Sequence, residues 1–118
     1  MIQDIESVIE KSKRLLMDVS EDYKPIEQET WNRAILFLRS LAVRSQKDRT
    51  VVLPVPHIGP GGDGSIDLYW NVDNGTLLIN FPSDSNLCTF YGDRGVTKLK
   101  GTMEVTGDTF KSAILELL

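Results

Sequence analysis

The chain has little with which to do redox or metal chemistry: its 118 residues include one cysteine, Cys88, and one histidine, His57. A lone thiol cannot close an internal disulfide, and it agrees with a reducing compartment. With no Cys or His pair at ligand spacing, no metal site is expected, and nothing in the sequence implies a cofactor. Long apolar runs are missing too. The longest nearly uncharged apolar run, Ala34 to Leu38, falls far short of the ~20 residues a membrane helix needs, so no membrane partner is expected. The stretch Met1 to Glu10 carries Asp4, Glu6 and Glu10 where a secretory signal needs a basic start and an unbroken apolar segment. The expected location is therefore cytoplasmic.

Positive charge is scarce in one region. Residues 1–50 hold nine acids and nine bases, residues 51–118 hold eight acids and four bases, and no Lys or Arg falls between Arg49 and Arg94. Asp63, Asp67, Asp73, Asp84 and Asp93 all lie in that gap. Nucleic-acid binding draws most of its affinity from Lys and Arg contacts to phosphates, so a nucleic-acid partner is not expected there. The bases Arg39, Arg44, Lys47 and Arg49 gather at the end of a predicted helix, where cations complement the helix dipole.

What is present is the composition of an ordinary globular protein, 41% hydrophobic and 25% charged, in a chain long enough to bury one core. Residues 1–118 therefore read as a single α+β domain. Ile2, Ile5, Val8, Ile9, Leu15, Leu16 and Val19 recur at helical spacing, which predicts an amphipathic first helix. Pro25 opens a second, with Glu27 and Glu29 in its first turn. Its stripe of Trp31, Ala34, Ile35, Leu38, Leu41 and Ala42 is widened by Leu36, Phe37 and Val43. A helix so apolar is expected to pack on the first helix and on a sheet, or to enter a dimer contact.

From residue 50 the period changes. The segment from Val51 to Pro56 is β-prone but interrupted by two prolines, as suits an edge or an extended connection, and Gly59 to Gly64 reads as a loop. Ile66, Leu68, Trp70 and Val72 alternate with Asp67, Tyr69 and Asn71, the period of a half-buried strand. With Asn74-Gly75 as a two-residue turn, Val72, Trp70 and Leu68 face Leu77, Ile79 and Phe81. Strands over Leu87 to Tyr91 and about Val96 to Val105 follow, turned by Asp93-Arg94-Gly95, and Asp108 caps a short C-terminal helix through Leu117. The expected fold class is α+β: two N-terminal helices on a mostly antiparallel meander sheet of about four strands, then that last helix.

Candidate chemistry is thin. The glycines from Gly59 to Gly64 lack the lysine that would reach a phosphate, and a strand follows them where a helix N-terminus would be required, so they read as a turn. His57 with Asp63 or Asp67 forms a candidate polar loop, able in principle to serve a general base or a small ligand. Cys88 alternates with Phe90 and is expected to point into the core. The polar sheet face carrying Tyr69, Asn71, Asn80 and Tyr91 is the candidate binding surface, because aromatic and amide side chains together suit a partner or ligand.

The segments WNRAILFL over Trp31 to Leu38, Pro56-His57-Ile58-Gly59-Pro60, the run from Asp63 to Trp70, the run from Leu77 to Phe81 and Phe90-Tyr91-Gly92-Asp93 stand together in one order. In this the chain resembles a group of small uncharacterised prokaryotic proteins with a helical N-terminal part, a P-x-I-x-P segment and a D-G-S-I-x-L-x-W strand. The likeness covers about residues 28 to 105. It departs before the second helix, where Asp22-Tyr23-Lys24-Pro25 replaces a Trp- and Gly-rich stretch. The resemblance implies a fold and assigns no reaction. Together these readings lead to the expectation of a small, acidic, non-enzymatic accessory protein that binds another protein or a second copy of itself. The alternative is a small ligand-binding domain or enzyme built on His57 with Asp63 or Asp67.

Overall fold

The computed structural model describes residues 4–17, 25–49, 53–73, 75–104, 114–115 and 118. Helix α1 spans Ile5–Ser12 and continues as a 3₁₀ turn over Lys13–Leu16; helix α2 spans Gln28–Arg49. Five strands follow: β1 His57–Gly62, β2 Ser65–Val72, β3 Gly75–Phe81, β4 Leu87–Arg94 and β5 Thr97–Glu104. They pair in sequence order, each antiparallel to the next, so the sheet is a meander.

Helix α1 begins where Asp4 caps it, its carboxylate accepting from the Ser7 amide at 2.7 Å. It is shorter than the apolar spacing predicts. At Ser12 the hydroxyl donates to the Ile9 carbonyl at 2.6 Å and accepts the Trp31 indole N–H at 2.9 Å, and there the α-helix tightens into the 3₁₀ turn. Pro25 stands ahead of α2 instead of in its first turn, because Ile26 first drops into the core, leaving Glu27 to supply the carbonyl that accepts from Trp31 N at 3.0 Å. Trp31, Ala34, Ile35, Phe37, Leu38 and Leu41 of α2 are buried against α1 and against β2 and β3, while Leu36 and Val43 remain exposed. Phe37 meets Phe81 with ring centroids 5.4 Å apart. Across the helix pair, Arg39 grips Glu6 with Nε and Nη2 at 3.1 and 2.9 Å.

The sheet has five strands where about four were expected, because the Gly- and Pro-rich stretch read as a loop is β1. An edge strand leaves one row of backbone groups unpaired, so it tolerates Pro60, which stands opposite Ile66. The register slips between Pro60 and Gly62, and the turn is made by Gly62, Asp63 and Gly64 with φ of 92°, 51° and 79°.

The β2–β3 hairpin corrects another expectation. Val72 pairs with Gly75, Trp70 with Leu77 and Leu68 with Ile79, two residues away from the expected register, so Gly75 belongs to β3 and not to the turn. Gly75 serves in the strand, where a Cβ would stand 2.6 Å from the Asp93 carbonyl oxygen; close approach of β4, rather than a positive φ, demands glycine there. Likewise Gly95 (φ 65°) and Val96 turn β4 into β5, with Arg94 paired to Thr97, in place of the expected Asp93 to Gly95 turn. The expected C-terminal helix lies mostly outside the described residues; of it, Ile114 and Leu115 are helical and buried in the core.

Candidate functional site

Strand alternation gives the sheet two faces. The inner one, under the helices, carries Ile58, Ile66, Leu68, Trp70, Leu77, Ile79, Phe81 and Cys88, all buried. Burial disfavours the thiolate and pushes the Cys88 thiol up to about 11, so this cysteine packs as a small hydrophobe.

The outer face is set by the observed pairings, which align side chains in rows across the strands. The first row reads His57, Tyr69, Leu78, Tyr91, Lys100 from β1 to β5. Beside it run Gly59, Asp67, Asn80, Thr89, Thr102, and on the other side Asn71, Thr76, Asp93, Lys98. Tyr69 and Tyr91 are 37% and 44% exposed, too much for core residues. They flank Leu78 on alternate strands, which puts them two strand spacings, roughly 10 Å, apart. The candidate surface residues thus meet on one face, with the tyrosines in its first row and the amides on either side. Leu78, which alternation with Leu77 and Ile79 assigns to this face, is there, and Lys98 and Lys100, which went unrecognised in the sequence, share it. The two lysines return positive charge to the β5 margin, where Lys98 opposes Asp93.

One corner of this face is a closed polar network. Asn80 Nδ2 donates to Ser65 Oγ at 2.9 Å and to Asp67 Oδ1 at 2.8 Å, while Ser65 Oγ donates to the Gly62 carbonyl at 2.6 Å. Both amide hydrogens of Asn80 are engaged, so it offers a partner only its carbonyl oxygen. The network closes over Gly61, where a Cβ would lie within 2.6 Å of Asn80 Nδ2, Ser65 Oγ and Asp67 Oδ1. Asp67 is therefore held by its neighbours as a structural carboxylate.

The three residues of the candidate polar loop do not converge. His57 begins β1 and Asp63 lies in the turn beyond its other end, roughly 20 Å of extended strand away. Asp67 pairs with Gly59, over which the His57 ring folds, yet no hydrogen bond joins His57 to Asp67 among the described residues. His57 instead shares a cleft with Lys11 and Arg14 of the helical layer. No three His, Cys, Asp or Glu side chains gather into a metal-binding group among the described residues. Nor, among those residues, is any helix long and apolar enough to cross a membrane.

Fold and face together define a small α+β protein with an exposed tyrosine row on an antiparallel sheet. Comparison with protein-family models, with curated proteins and with solved structures returned no match.

Proposed function

We propose that this chain is a small, non-enzymatic accessory module that binds another protein through the outer face of its sheet. The observation that carries the reading is the row in which exposed Tyr69 and Tyr91 flank half-buried Leu78. Tyrosine brings large apolar area and a polar tip at low entropic cost, and side chains of this kind concentrate in the buried centres of protein interfaces. Thr89, Thr102, Asn71 and Thr76 supply a polar rim. The acids Asp63, Asp73 and Asp84, in turns at the ends of β1 to β3, favour a partner with basic residues opposite that side; such rim charges act mainly on the rate of encounter.

The test compares the wild-type protein with Tyr69→Thr/Tyr91→Thr as bait in affinity capture from the source cells, followed by titration of the purified captured protein. Threonine keeps the strand preference while removing the aromatic surface. A partner held by the wild type and bound at least about tenfold more weakly by the variant supports the proposal, that factor being ~1.4 kcal/mol of contact. Equal binding by both proteins overturns it, as does capture of nothing but the bait. Sedimentation equilibrium adds one branch: self-association abolished in the variant makes the partner a second copy of the chain.

A further inference from the structure

A cleft of about 370 Å³ lies between the first helical layer and the start of β1, a volume in the range of small-ligand pockets, roughly 300–1,000 Å³. Its lining is apolar on one side and cationic on the other. Val8, Val55, Pro56 and Ile58 form the apolar part and Lys11 and Arg14 the cationic part, while His57, whose ring folds over Gly59, borders the cleft. No acid lines it among the described residues, in a protein whose net charge is −4. Neighbouring cations are neutralised: Lys13 pairs with Glu10 at 2.9 Å and Arg39 with Glu6 at 2.9 Å. Lys11, Arg14 and His57 have no ion-pair partner among the described residues.

The walls are tied down by the two tryptophans. On the helical side the Trp31 indole holds Ser12, which lines the cleft, at 2.9 Å. On the strand side the Trp70 indole donates to the Pro54 carbonyl at 2.7 Å, next to Val55, in a segment already stiffened by Pro54 and Pro56. A pocket preformed in this way does not have to be ordered by its ligand, which lowers the cost of binding.

We propose that this cleft binds a small organic monoanion, a carboxylate on a short hydrocarbon body. The head group lies between Lys11 and Arg14, where charge-assisted hydrogen bonds favour it, and the body covers Val8, Val55, Pro56 and Ile58. An inorganic anion would use the basic side and leave the apolar side wet; an amine of the same shape would meet the two cations Lys11 and Arg14. Neither Tyr69 nor Tyr91 lines the site, although His57 stands at the end of their row.

Octanoate, below its micelle concentration, is the probe, and the indole N–H signals of Trp31 and Trp70 in nitrogen-15-labelled protein are the reporters. Saturable shifts of both signals are expected, with acetate and octylamine at least about tenfold weaker, each because half of the recognition, ~1.4 kcal/mol or more, is missing. Lys11→Glu/Arg14→Glu, at two exposed side chains, should weaken octanoate by at least the same factor. Tyr69→Thr/Tyr91→Thr should bind octanoate as the wild type does, which separates this site from the sheet face. Absence of a saturable octanoate shift overturns the proposal. So does octylamine binding as tightly as octanoate, or undiminished octanoate binding by the charge-reversed variant.

Discussion

The inner and outer faces of the sheet are made from alternate residues of the same strands, yet they answer to different demands. On the inner face Ile66, Leu68, Trp70, Leu77, Ile79, Phe81 and Cys88 are 0–1% exposed. On the outer face Tyr69 and Tyr91 keep more than a third of their surface in water. A side chain wholly enclosed by neighbours contributes its full transfer energy and leaves a cavity if trimmed. One that stands in solvent contributes little to folding and is free to serve a contact. Burial and exposure are thus divided between odd and even positions of one strand.

Substitutions ordered by expected effect can break that comparison. Trp70→Ala removes the largest fully buried side chain and the donor to Pro54, and should cost about 3–5 kcal/mol in urea unfolding. Cys88 comes next, through pH. Its buried thiol holds its proton up to about 11, whereas an unfolded thiol releases it near 9.0. Below that lower value both states are protonated and pH has no effect through this group. As pH rises between the two values only the unfolded state loses the proton, so stability falls by roughly 2–3 kcal/mol. Comparing pH 8 with pH 11 in wild type and Cys88→Ala isolates this part, because the variant lacks it.

Gly75→Ala should cost about 1–3 kcal/mol, since the added methyl meets backbone atoms of Asp93 and Arg94 that no rotamer change can move. At the surface the Glu6 and Arg39 side chains are 64% and 52% exposed, so Glu6→Gln should cost less than ~1 kcal/mol, with the loss shrinking as salt is added. Smallest of all, Tyr69→Thr should change stability by no more than about 0.5 kcal/mol. A loss from Tyr69→Thr approaching that of Trp70→Ala would abolish the distinction between the faces.

The hairpin shows how far sequence reasoning reaches. Alternation placed Ile66, Leu68, Trp70, Leu77, Ile79 and Phe81 on one face, and they are there. It could not fix their partners, because a shift of two residues keeps every side chain on its face and leaves the apolar pattern intact. Asn-Gly is a strong turn signal, but Gly75 is needed where β4 crosses, and that neighbour is distant in sequence. Strand β1 was obscured for a related reason: glycine and proline mark turns in isolation, while an edge position with a bulge and a crowded Gly61 makes the same residues fit a ladder.

The candidate surface was legible as a face and illegible as a site. Tyr69, Asn71, Asn80 and Tyr91 share the outer parity, but their order in rows depends on three successive registers. His57, Asp63 and Asp67 lie close in sequence, and extended backbone carries His57 and Asp63 to opposite ends of a strand. Lys11 and Arg14 join His57 only because α1 packs beside β1.

Local physical chemistry written in the sequence therefore determined the amphipathic α1, the buried stripe of α2, the apolar strand faces and the inert, buried Cys88. These depend on side-chain period and transfer energy, which a residue carries with it. Strand pairing, the rows of the outer face and the cationic cleft were decided by tertiary structure, because each depends on distances between residues far apart in the chain, and only packing sets those.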